Sequence, residues 1–159
     1  MSEQTRTKLL GDFGEYLLAW LLRSRFGVNL SLVKTEGVDL LCVDKDGALF
    51  PKDRNIAISV RTRERIKERV LDNVNADWSK IEGAAERWNA EPYFAYVRIT
   101  PENGEIKVFL LPVNKAKTYG RSFNVKRAEL DPSNILFEMK FKQYVPKSKV
   151  NELLLKETQ

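Results

Sequence analysis

The spacing of apolar residues changes period in a set order along this chain, and that order limits the folds open to it. In residues 7–26, Leu10, Phe13, Leu17, Trp20 and Leu21 recur at helical spacing and predict a helix with that stripe on the core, ended by Gly27. Residues 28–34 and 37–44 read as strands, the second closed by the turn signal KDG at 45–47. Residues 56–63 alternate again. Asp77 can cap a helix through about Ala90, with Ile81, Ala84, Ala85 and Trp88 as its apolar stripe and Pro92 closing it. Residues 92–100 and 105–111 read as strands joined by a PENG hairpin turn. Phe137, Met139 and Phe141 alternate with charged residues and predict a late half-buried strand, and residues 150–156 fit a short terminal helix. Helix, three strands, helix, two strands and a tail predict one α/β domain over residues 1–159, with its core at about 7–112 and a basic extension at 113–159.

Composition removes several chemistries. The chain has 159 residues and no histidine. That excludes Ser-His-Asp and Cys-His catalysis and most catalytic zinc sites, and leaves carboxylates, Lys or Arg, hydroxyls and hard cations such as Mg²⁺. The single cysteine, Cys42, allows no intrachain disulfide, and the N-terminus MSEQTRTK has no signal-peptide pattern, so a cytoplasmic location is the expectation. The longest apolar run has seven residues, 16–22, so no membrane partner is expected. Charge is uneven. Residues 115–149 hold nine basic side chains against Glu129, Asp131 and Glu138, and residues 51–69 hold seven against three. Such basic stretches suit a polyanion, most simply nucleic acid; a solvated basic surface is the alternative. Arg63, Lys126, Arg127, Lys140 and Lys142 are the candidate phosphate contacts.

Two carboxylates stand in apolar contexts. Gly11, Glu15, Leu18 and Leu22 form one stripe on the first helix, and Gly11 and Gly14 there suggest close approach to a neighbour, which would bring Glu15 towards the sheet; the alternative is a Glu15 at the stripe's edge that reaches water. Asp39 lies inside GVDLLCVD, where both strand faces are apolar. In IAISVRTRER at 56–65, Ile56, Ile58 and Val60 share one face and Ala57, Ser59 and Arg61 the other. A serine and an arginine side by side fit either an exposed sheet face or an altered active site. Glu15, Asp39, Ser59 and Arg61 can surround one hollow, where an arginine or a divalent cation would relieve the repulsion of the two acids. A plain Asp39–Arg61 ion pair explains the same residues without a metal.

The segments GDFGEYLLAWLL, GVDLLCVD and IAISVRTR, with the later helix and strands PYFAYVRIT and EIKVFLLP, resemble the PD-(D/E)xK nuclease superfamily over about residues 7–112. The resemblance implies a restriction-endonuclease-like, three-layer α/β/α fold with a mixed central sheet. It also implies Mg²⁺ held by Asp39 and Glu15, with Ser59 in the position of the metal-binding acid and Arg61 in that of the lysine. Serine is a poor hard-cation ligand beside a carboxylate. Arginine can stabilise a phosphorane-like transition state but does not give up its proton. Glu36 and Asp44 are the nearby acids that could fill in. The expected function is nucleic-acid binding, DNA ahead of RNA, on a nuclease-like scaffold with a degenerate centre. The alternatives are an active Mg²⁺-dependent endonuclease and a non-catalytic protein-interaction subunit; a homodimer is compatible with each.

Overall fold

The computed structural model describes residues 1–65 and 73–140. Helix α1 (Glu3–Phe26) begins at Ser2, whose side chain accepts from the Thr5 N–H, and stops at Gly27, whose φ of 64° lets its N–H reach back to the Arg23 carbonyl. Strands β1 (Asn29–Thr35) and β2 (Val38–Val43) form an antiparallel hairpin. Its turn needs Gly37, at φ 82°, because a side chain there would meet the Ala84 Cβ at 2.8 Å. Strand β3 (Asn55–Glu64) pairs antiparallel with β2. Strand β4 (Asn73–Val74) leads into helix α2 (Trp78–Arg87), capped by Asp77 onto the Lys80 N–H. Strand β5 (Glu91–Thr100) then lies parallel to β3, and β6 (Glu105–Pro112) antiparallel to β5. Between those two strands, PENG forms a single 3₁₀ turn closed by Gly104 at φ 61°. Helix α3 (Val113–Ala116), strand β7 (Phe123–Asn124), helix α4 (Val125–Glu129) and strand β8 (Ile135–Lys140) complete the described chain.

The result is an α/β fold with a mixed six-stranded sheet in the order β1-β2-β3-β5-β6-β8. A second sheet pairs β4 with β7. The pairing is antiparallel everywhere in the large sheet except between β3 and β5. Helix α1 supplies Leu18, Leu21 and Leu22 to a core with Leu40, Ile56, Ile58, Val60 and Val108. On the other face, Ala84 and Ala85 of α2 cover Ala57. Trp78 and Ile81 join Phe94, Phe109 and Phe123 in a third cluster that also takes Val113, Ala116, Val125 and Ala128. Residues beyond 112 thus contribute both an edge strand and core. Among the described residues, no helix is long and apolar enough to cross a membrane.

One expectation is corrected on α1. Phe13 and Trp20 are 44% and 58% exposed, while Gly14, Leu18, Leu21 and Leu22 are buried. Between Phe13 and Leu22 apolar residues lie on several sides of the helix, so periodicity alone does not choose the face. The choice follows from Gly14, which lets the backbone sink onto β3. Gly11, by contrast, has no atom near its missing side chain. The second helix ends at Arg87, before Ala90, and Asn89 turns the chain with φ 50°. Phe141, Lys142 and residues 150–156 lie outside the described residues.

Candidate functional site

The site forms where two strands part. The β2–β3 ladder runs from Val43↔Asn55 to Leu40↔Ile58 and stops. Asp39, next along β2, turns its carboxylate into the gap, and Oδ2 accepts the Val60 N–H at 2.7 Å. A side chain thus replaces the strand carbonyl, which is how an aspartate persists inside an apolar strand. Glu15 reaches the same place from α1. It can do so because Gly14 rests on Thr62 of β3, where a Cβ would lie 1.8 Å from Thr62 Oγ1.

Glu15 and Asp39 are in contact. Burial, followed by the negative charge of Asp39, pushes the Glu15 carboxyl up to about 7. Burial also raises Asp39, opposed by the Val60 N–H, the Arg61 charge and a hydrogen bond from Glu15. Below about pH 7 Glu15 holds a proton that it can donate to Asp39, which spares the site two adjacent negative charges. Glu15 Oε2 is buried and, among the described residues, meets no hydrogen-bond donor.

Lysine 34 is the member that the sequence reading missed. Its Nζ lies 3.2 Å from Asp12 Oδ1 and 3.8 Å from Glu15 Oε2. Its backbone sits at φ 46°, an uncommon conformation for lysine, beside an irregularity in the β1–β2 register. In sequence it is one exposed lysine on an edge strand; only a positive φ, which no spacing announces, aims it at the carboxylates.

The other candidates separate. Ser59 is 1% exposed on the face that α2 covers, and its hydroxyl has no hydrogen-bond partner among the described residues. Ala57 is fully buried on that face, so the exposed-face reading fails at Ala57 and Ser59, while Arg61 and Arg63 further along the same face do reach solvent. Arg61, half-buried, donates to the Val60 carbonyl at 3.2 Å and acts on Asp39 through its charge, without a direct ion pair. Asp44, fully buried, accepts the N–H groups of Gly47, Leu49 and Phe50 and organises the β2–β3 loop. Glu36 is exposed and pairs with Lys80 at 2.9 Å. Neither fills in at the strand fork. Arg63 and Arg127 are exposed, Lys126 is exposed and engaged with a partner, and Lys140 lies 4.0 Å from Glu105.

Mg²⁺ commonly takes one or two carboxylates and keeps several waters. The orphaned Glu15 oxygen and the Asp39 oxygen turned away from Val60 are a donor set of that size. The ammonium of Lys34 beside them already supplies positive charge, so a cation would bind against it. No family model matches the chain, and no curated protein does.

Proposed function

We propose that the chain is a nucleic-acid-binding protein on a three-layer, PD-(D/E)xK nuclease-like scaffold whose hydrolytic centre is degenerate. The observation that carries this reading is the meeting of Glu15 and Asp39 at the split between β2 and β3, with Arg61 close enough to act on Asp39. That is the constellation the resemblance implies, with a buried neutral serine in place of its third oxygen ligand. Glu15 and Asp39 would hold a Mg²⁺, and the ion would polarise a phosphate and acidify a water. The protein groups act on their own account as follows. Arg61 offers charge and hydrogen bonds to a phosphate, and its high pKa bars it from proton transfer. Glu15 and Asp39 share a proton and can exchange it with a water at the fork. Lys34 neutralises the pair and lowers its demand for a cation.

An active Mg²⁺-dependent nuclease is the second reading, favoured by the unpartnered Glu15 oxygen. The experiment titrates branched, single-stranded and duplex oligonucleotides at several salt concentrations, with and without Mn²⁺, using the wild type and Asp39→Ala. Binding that falls steeply with salt, with cleavage no faster than that of Asp39→Ala, is expected. Absence of salt-sensitive binding overturns the reading. Cleavage that Asp39→Ala abolishes replaces it with the second.

A further inference from the structure

Beyond the carboxylate pair, the far side of β3 opens into a hollow of about 730 Å³ whose walls carry Arg61, Arg63 and Arg121. Asn75 and Ser122 also line it, as does Asp77, whose Oδ1 is engaged with the Lys80 N–H. Arg61 and Arg63 each donate to a backbone carbonyl of their own strand, at 3.2 and 2.9 Å. A guanidinium has five donors, so most of theirs remain open. Among the described residues, none of the three arginines forms an ion pair. Their neighbours behave differently. Arg63 pairs across the sheet with Arg98, and Arg98 with Lys107. Arg98 and Lys107 are buried and share Glu129, at 2.9 and 2.6 Å, with Glu105 and Glu138 as further partners at 3.2 and 3.7 Å. Among the described residues, carboxylates are therefore matched to two cations of that row and none to the third, at the hollow.

The spacing points further. Arg61 and Arg63 are two residues apart on one strand face, about 6.6 Å along the strand. That is close to the separation of successive phosphates in an extended nucleic-acid strand. Among the described residues, the aromatic side chain on the wall is Trp78, 9% exposed with its indole N–H on the Gly120 carbonyl, so these residues present no ring for base stacking. We propose that this hollow is a backbone subsite for nucleic acid, in which Arg61 and Arg63 take successive phosphodiesters and Arg121 closes on them from the opposite wall. The subsite rests on the nucleic-acid reading above and adds the path: the strand runs along β3 over Arg63 and Arg61, the latter being the residue whose charge also acts on Asp39, and is bound without regard to base sequence.

The test compares Arg63→Gln and Arg121→Gln with Arg23→Gln, the same charge change at an exposed position on α1. Binding of labelled oligonucleotides of two unrelated sequences is measured from 50 to 300 mM salt, and inorganic phosphate is titrated as competitor at constant ionic strength. The expected result is a loss of roughly tenfold per hollow variant for both sequences, with the salt slope shallower by about one unit, and little change for Arg23→Gln. Inorganic phosphate should compete only weakly. Wild-type binding that the hollow variants leave intact, or that all three variants weaken alike, overturns the subsite while sparing the nucleic-acid reading. Phosphate that displaces the oligonucleotide with comparable affinity makes this a small-anion pocket and also overturns it. Absence of wild-type binding removes both proposals.

Discussion

Replacing Glu15 by glutamine should make the protein more stable at pH 8 and leave it nearly unchanged at pH 4.5. The Glu15 carboxyl moves from an ordinary 4.5 up to about 7, through burial and the Asp39 charge. A folded-state pKa above the unfolded one means that the folded chain holds this proton more tightly. The resulting stability is fully present below about pH 4.5 and is lost as pH rises through about 7. The shift corresponds to at most about 3.4 kcal/mol at 1.36 kcal/mol per unit. The side chain is 15% exposed, and Lys34 lies 3.8 Å away, so part of the charge is already compensated. A gain of about 1.5–3 kcal/mol for Glu15→Gln at pH 8 is the working figure. The glutamine amide can still donate to Asp39, as the protonated acid does. Denaturant unfolding of both proteins at several values between pH 4.5 and 8 gives the difference directly, and titrations elsewhere in the chain cancel. A difference that stays flat across this range, or a variant less stable at pH 8, refutes the proton-sharing pair.

The two α1 glycines should respond in opposite directions to alanine. Gly11→Ala, in open space, should stabilise by about 0.5–1 kcal/mol, and Gly14→Ala, driven into Thr62, should destabilise by about 1–3 kcal/mol, with partial recovery in the Gly14→Ala/Thr62→Ala double variant; thermal or denaturant unfolding reads both. Glu129, held down to about 2 despite its burial by hydrogen bonds from Arg98 and Lys107, contributes stability present above about pH 4.5 and lost as pH falls through about 2. Glu129→Gln should cost about 2–4 kcal/mol at pH 7 and progressively less in acid, checked by unfolding at pH 7 and pH 3. Lys34→Ala should tighten Mn²⁺ binding by roughly tenfold in calorimetry relative to wild type, with Asp39→Ala as the non-binding control. Equal affinities for Lys34→Ala and wild type mean that the lysine does not compete for the carboxylates.

Local chemistry was readable because it depends on neighbours a few residues away. Asp77 and Gly27 act through caps, and the alternation in β2, β3 and β5 follows from the two-residue period of a strand. Asp39 stood out because an aspartate amid apolar strand residues needs a partner. The sequence alone therefore determined the order of the main helices and strands through β6, the C-terminal end of α1 at Gly27 and the suspicion attached to Glu15 and Asp39, while the start of α1 at Glu3, four residues before the expected one, and the short elements β4, α3, β7 and α4 were not read. The tertiary structure decided what no period encodes. Helix α1 has apolar residues on several stripes, and only the approach of Gly14 to Thr62 selects the buried one and leaves Phe13 and Trp20 outside. The fork at Leu40↔Ile58 frees the Val60 N–H for Asp39, and a positive φ at Lys34 brings an edge-strand ammonium to the same carboxylates. Arg121 stands nearly sixty residues from Arg63, yet the two line one hollow. Such meetings depend on long-range packing and loop closure, where a choice of face or a shift of one residue redirects a side chain without altering the local pattern.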